Sequence, residues 1–227
     1  MTAVPTALIT GASGGLGSAI AAALAPTHTV LLGGRPSPRL DELAQRLGAT
    51  TWPLDLTQVA GIATSTEIIT ELDVLVHNAG AAFPDYIADS SIDDWRTTLE
   101  VNVIGAVALT KALLPALRRG AGHVVFVNTT AGLNVLAGMG SYSASKFALR
   151  AFADSLRAEE PALRVTSVHP ARIDAPMQHQ LVKFEGAEYG ETAYLKPETV
   201  ACAIAQVVAA PPDADVHQIV IRERAKR

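Results

Sequence analysis

The sharpest chemistry in the sequence is offered by a tyrosine and a lysine four residues apart, in Tyr142-Ser143-Ala144-Ser145-Lys146. On a helix that spacing puts a phenol and an ammonium on one face. A free phenol, with a pKa near ~10, exchanges protons poorly at neutral pH. A neighbouring cation favours the phenolate and pulls that value down. A drop of ~3 units corresponds to ~4 kcal/mol of differential stabilisation. An exposed ion pair contributes only about 0–1 kcal/mol, so desolvation and further positive charge must help. Taken alone, the pair reads first as a solvated helix face.

A second stretch offers a seat for an anion. Thr10-Gly11-Ala12-Ser13-Gly14-Gly15-Leu16-Gly17 follows the apolar run Ala7-Leu8-Ile9 and leads into the alanine-rich segment Ser18 to Ala25. That order reads as strand, tight turn, helix. The first N–H groups of a helix are unpaired and carry partial positive charge. Near the start of an α/β chain the expected anion is a nucleotide pyrophosphate. The spacing is Gly-x3-Gly-x-Gly, and no Gly-Lys-Ser/Thr follows, so the turn is not a P-loop. A glycine-rich turn without a ligand is the plainer reading. About 20 residues on, an acid usually holds a ribose 2′-hydroxyl. Here the chain reads Gly33-Gly34-Arg35. A guanidinium suits a phosphate monoester, so Arg35 is either a 2′-phosphate ligand of NADP(H) or an ordinary surface arginine. Asp55 either accepts from an adenine amino group or caps the segment starting at Thr57.

These residues need a scaffold. The chain has 227 residues, 49% hydrophobic and 18% charged, enough for one large α/β domain with a sizeable core. The net charge of -4 gives no basic patch for nucleic acid, and Arg224, Lys226 and Arg227 read as a solvated tail. One cysteine, Cys202, excludes an internal disulfide and reads as a small core residue. The N-terminus lacks a signal-peptide pattern, and no uninterrupted apolar run reaches 18 residues, so a cytoplasmic protein without membrane contact is expected. Strands are expected at Thr29–Gly33, Thr51–Leu54, Asp73–His77, His123–Asn128, Arg164–His169 and Gln218–Ile221. Helices are expected at Leu40–Leu47, Val59–Leu72, Ile92–Leu117, Ser141–Glu159 and Pro197–Ala209, with a loop-rich segment at Ala171–Leu195. The strands are continuous apolar runs, which implies a parallel sheet covered on both faces. Gly11, Arg35, Asp55, Asn78, Thr129 and Pro170 all follow strand ends, where such sheets bind ligands.

Jointly these features resemble the short-chain dehydrogenase/reductase family. Thr10-Gly11-x3-Gly15-x-Gly17, Asn78-Ala79-Gly80, Asn102 in Val-Asn-Val, Tyr142-x3-Lys146 and His169-Pro170 stand in the family's order, over about residues 4 to 222. The resemblance implies a single domain over residues 1–227, a Rossmann-like doubly wound parallel sheet of about seven strands between two helix layers. It implies hydride transfer between a nicotinamide and a carbonyl or secondary alcohol. Tyr142 would exchange the proton, Lys146 would lower its pKa and hold the ribose, Thr129 would orient the substrate oxygen, and Asn102 would anchor a relay water. Asn102 also reads as a hydrogen-bonded core amide, and Thr129 as a local backbone cap. Cofactor contacts are expected from Gly11, Ser13, Gly15, Leu16, Gly17, Arg35, Asp55, Leu56, Asn78, Ala79, Gly80, Tyr142, Lys146 and Pro170, with NADP(H) preferred over NAD(H) and no metal.

The sequence departs from the family pattern at four places. Thr129 stands for the usual Ser, keeping the hydroxyl but adding a methyl and a stiffer χ1. His77 stands for an Asn and reads as structural. Ala171 replaces the usual Gly after Pro170, and Ala175 replaces a Thr that often contacts the cofactor. The substrate side is expected from residues 171–195 with Leu133, Val135 and Met139, an apolar set suited to a small ketone, aldehyde or secondary alcohol. Phe184, Tyr189 and Tyr194 are a lid or packing. The two long helices are the family's usual surfaces for a homodimer or homotetramer. A catalytically weak NADP(H)-binding sensor or scaffold is the alternative function, and a methyltransferase-like nucleotide module the third.

Overall fold

The computed structural model describes residues 4–190, 193–211 and 213–224. The expected tail residues Lys226 and Arg227 lie outside them. Seven parallel strands form one sheet in the order β3-β2-β1-β4-β5-β6-β7. They are β1 (Thr6–Thr10), β2 (Thr29–Gly34), β3 (Thr50–Pro53), β4 (Val74–His77), β5 (His123–Val127), β6 (Arg164–Pro170) and β7 (Gln218–Ile221). Leu8 pairs with Leu31 on one side and Leu75 on the other, so β1 is central. Successive residues of a strand face opposite ways. Ile9 therefore joins Leu16, Ile20 and Val30 on one face, while Leu8 joins Leu109, Leu113 and Phe126 on the other. Strand order reverses between β1 and β4, the switch point where open α/β sheets leave a crevice.

The helices are α1 (Gly15–Leu24), α2 (Pro38–Leu47), α3 (Val59–Thr66), α4 (Ile92–Leu99), α5 (Gly105–Arg119), α6 (Gly140–Glu159), α7 (Pro176–Phe184) and α8 (Pro197–Val208). The Ser91 hydroxyl caps α4, accepting from the N–H of Asp94. Between α4 and α5 lies one π-helical turn, Glu100–Ile104. The combined stretch Ile92–Arg119 is long and apolar enough to cross a membrane, yet Leu109, Leu113, Ala116 and Leu117 bury its apolar face in the core.

Three expectations are corrected. The helix from Val59 ends at Thr66 instead of Leu72. The hydroxyls of Ser65 and Thr66 bond back to the carbonyls of Ile62 and Ala63, and the Trp52 indole takes the Ser65 carbonyl, so the turn closes there. Cys202 is exposed, because Val200, Ala201, Ile204, Val207 and Val208 form the buried stripe of α8 and leave it on the other side. The segment after β6 is not only loop: Pro176 opens α7, preorganised for a first helical turn.

His77 and His123 are buried in the sheet, each with Nε2 on a threonine hydroxyl 2.8 Å away, Thr110 and Thr166 respectively. His77 also stacks on Phe126, 4.9 Å between centroids, which supports its structural reading. Burial pushes the His77 imidazole down to about 3 and that of His123 to about 4. In the unfolded chain both titrate near ~6.5, so below that pH the unfolded state takes up protons that the native state refuses, and stability falls as pH falls. Going from pH 7.5 to 5.5 should cost the fold about 3 kcal/mol from these two groups together. Urea unfolding at the two pH values measures it; equal midpoints would contradict the assignment.

Candidate active site

The glycine turn is fastened to the end of β4. Gly11 has φ +64, a conformation that glycine adopts without strain. The Asn78 amide donates to the carbonyls of Thr10 and Gly11 at 3.0 and 3.2 Å. The Thr10 hydroxyl accepts the N–H groups of Asn78 and Ala79, both at 3.0 Å, and donates to Val76. The Asn78 side chain therefore builds the turn. Helix α1 starts from this turn with no side chain capping its first residues and no acid in its first turn. Its leading N–H groups open into a cleft of about 990 Å³, at the upper end of ordinary ligand pockets. The volume, the uncapped helix end and the side-chain-free Gly11, Gly14, Gly15 and Gly17 fit a dinucleotide lying across the switch point.

The cleft gathers residues from distant parts of the chain. Gly11, Ser13, Gly15, Leu16, Gly17, Arg35, Asp55, Leu56, Asn78, Ala79, Gly80, Thr129, Tyr142, Lys146 and Pro170 all line it. Asn102 does not. It sits in the π-turn behind the wall, its Oδ1 accepting from the N–H of Ala81 at 2.7 Å. Its Nδ2 donates to the Ala81 carbonyl and to the Ser145 hydroxyl, both at 2.9 Å. Ser145 in turn donates to the Tyr142 carbonyl. Asn102 thus ties the loop after β4 to α6, as a hydrogen-bonded buried amide. Asp55 accepts the N–H and hydroxyl of Thr57 with one oxygen, which holds its carboxyl below the usual value and matches the capping reading.

Around the phenol, burial decides the electrostatics. Tyr142 is pushed up to about 12 by desolvation, against which a hydrogen bond with the Thr129 hydroxyl acts. Lys146 is pulled down to about 8 by desolvation. Its ammonium donates to the Val127 carbonyl at 2.9 Å and lies 5.7 Å from the centre of the Tyr142 ring. In the protein by itself loss of water governs the phenol, and the Thr129 hydroxyl acts against it. The phenol stays protonated through the neutral range, while the ammonium remains mostly charged at pH 7.

Sequence reasoning missed Asn128. Its Nδ2 donates to the Lys146 carbonyl at 3.0 Å and its Oδ1 accepts the Thr129 N–H at 3.0 Å. One buried amide thereby sets the spacing between the end of β5 and the second turn of α6. A polar residue closing an apolar strand was the available signal. On the substrate side Met139 lines the cleft as expected, but Leu133 and Val135 do not; Leu136, Ala82, Phe83, Thr97 and Val101 do. Those after β4 and on α4 are far from Tyr142 in sequence, and no local pattern marks them. Phe184 packs: a Cβ on Gly138, itself at φ +72, would stand 2.3 Å from its ring, and Tyr86 lies 5.3 Å from its centroid. Tyr189 packs too, stacking on His179 at 3.8 Å and hydrogen-bonding Asp174.

Comparison with known proteins agrees with this geometry. The short chain dehydrogenase family model matches residues 5–186. An uncharacterized oxidoreductase of Staphylococcus epidermidis is 30% identical over 226 residues, spanning 95% of this chain and 96% of its own. An alcohol dehydrogenase from the archaeon Thermococcus sibiricus, solved with 5-hydroxy-NADP, superimposes with a TM-score of 0.85 at 28% identity over 98% of this chain and 99% of its own. The closed form of a serine dehydrogenase complexed with NADP+ gives 0.84 at 28% identity, over 95% and 94%. With the glycine turn, the seven-stranded sheet and the Tyr142/Lys146 pair in one cleft, the chain belongs to the short-chain dehydrogenase/reductase family of oxidoreductases.

Proposed function

We propose that the protein is an NADP(H)-dependent carbonyl reductase or secondary-alcohol dehydrogenase in which Tyr142 moves the proton. The observation that carries this is the Tyr142 phenol, which shares with the Thr129 hydroxyl the cleft that begins at the uncapped start of α1. When bound, a reduced nicotinamide would supply a hydride to the carbon that bears the oxygen, and an oxidised one would accept it from that carbon. Tyr142 gives its proton to that oxygen as negative charge develops there. Its high pKa keeps the phenol protonated at neutral pH, the form that donates in carbonyl reduction. Thr129 holds the substrate oxygen within reach of the phenol. Lys146, charged below about 8, offers an ammonium to ribose hydroxyls and to the developing charge. The direct test follows NADPH absorbance with a panel of neutral ketones and aldehydes. NADPH binding without oxidation across the panel would leave a sensor or scaffold; no nicotinamide binding would remove the reading altogether.

NADP(H) preference rests on Arg35, exposed in the cleft lining, with no carboxylate at the end of β2. The neighbours solved with NADP forms support it. A hydrogen bond to a charged group contributes roughly 1.5–3 kcal/mol. Arg35→Asp should therefore lower the ratio of NADPH to NADH efficiency by about 100-fold, through loss of the guanidinium and repulsion by the new carboxylate. The ratio of kcat/KM values measures it, and an unchanged ratio would remove Arg35 from cofactor choice.

A further inference from the structure

On α7 the residues that line the cleft are Pro176, Met177, Gln178 and Leu181, and Gln178 alone among them is polar. Gln178 is only 6% exposed, and its Nε2 has no hydrogen-bond partner. Leaving a buried amide group unpaired costs stability, and native chains tolerate it where a ligand completes the bond. The surroundings say what kind of ligand. Met177 precedes Gln178 and Leu181 lies three residues on; Leu181 forms a cluster with Ala82 and Met139, against which Met177 and Tyr142 pack. Arg172, the nearby cation on the cleft wall, is already held by Glu185 at 2.8 Å. The wall beside the phenol is thus apolar, with one neutral amide and no unpaired charge on α7 facing the cleft. Apolar pockets with one or two placed polar groups choose ligands by those groups.

We infer that Gln178 determines substrate specificity, its amide taking a second neutral oxygen on a largely apolar carbonyl substrate, as in a keto ester or diketone. The inference rests on the carbonyl-reduction reading above. Binding such an oxygen satisfies the amide, whereas a plain ketone leaves it unpaired, so the substrate lacking the second oxygen is handicapped.

The test compares ethyl 3-oxobutanoate with heptan-2-one, chains of equal length that differ in the ester oxygens. Their intrinsic reactivities cancel when the ratio of their kcat/KM values is compared between wild type and Gln178→Met. The ratio is expected to fall about tenfold in the variant. Gln178→Asn, which keeps an amide one methylene shorter, should recover part of it. The Kd for NADPH, read by fluorescence, should stay within about twofold, and Tm should hold or rise because an unpaired buried amide is gone. An unchanged ratio overturns the inference. So does a weakened NADPH Kd with both ketones losing alike, which would give the amide to the cofactor. A large fall in Tm at constant ratio would make Gln178 structural and also overturn it. Wild type that binds NADPH but reduces neither ketone overturns the carbonyl-reduction reading along with the inference, whereas turnover of both with no shift in ratio spares that reading.

Discussion

Tyr142→Phe is expected to lower kcat by about 10³-fold while NADPH binds as before. Proton transfer by a placed side chain contributes roughly 10²–10⁴-fold, and the phenol is the group placed to do it. The substitution removes one oxygen and keeps the ring, which packs against Ala82, Met139 and Leu181, so the wall of the cleft keeps its shape. The Thr129 hydroxyl keeps its bond from the N–H of Ala131 at 3.3 Å. Two measurements separate the outcomes: steady-state reduction of the best ketone, and NADPH titration by fluorescence. Loss of turnover with unchanged Kd places the defect in the chemical step. Turnover within tenfold of wild type would take the proton from some other group, and the mechanism would have to be rebuilt around it.

The pH dependence of that turnover follows from the same burial. With the phenol near 12 and the ammonium near 8, raising the pH deprotonates Lys146 before Tyr142. The group whose charge fails first in alkali is the lysine, opposite to the order that a lowered tyrosine would give. The sequence shows that a phenol and an ammonium share a helix face, but their pKa values depend on how much water the cleft admits. That is set by Met139, Leu181 and the loop after β4, which come from distant parts of the chain. Sheet and helix order were legible because largely apolar strands alternate with periodic helices, and each strand end from β1 to β6 is marked by glycine, proline or asparagine. The glycine turn was legible for the same reason, since the backbone needs those glycines. Asn102 was legible as a polar residue on an apolar helix, but its partners were not: a π-turn aims it at Ala81 and Ser145, and no spacing rule announces a π-turn. Helix α7 was hidden in a segment dense in polar and aromatic residues, where Pro176 was the main signal.

The turn that opens the cleft gives the second large effect. Gly17 lies in the first turn of α1, and a Cβ there would stand 2.2 Å from the Gly11 carbonyl oxygen and 2.7 Å from the Asn78 amide nitrogen. Neither neighbour can retreat. Gly11 is itself pressed on Ala79, where a Cβ would come within 2.8 Å, and Asn78 is held by Thr10 and Gly11. Gly17→Ala must therefore push α1 away from the turn. Overpacking of a rigid site costs about 3 kcal/mol, which for a chain of this size lowers Tm by roughly 10 °C. The helix end moves with it, so its N–H groups no longer converge on an anion, and NADPH affinity should fall by about 100-fold. Gly61→Ala in α3 is the matched control, since a Cβ there meets nothing within 4 Å and alanine favours the helix by up to ~1 kcal/mol. Thermal unfolding and NADPH titration of the two variants side by side read both effects. If Gly17→Ala melts and binds like Gly61→Ala, the close approach of α1 to the turn is not what shapes the anion seat.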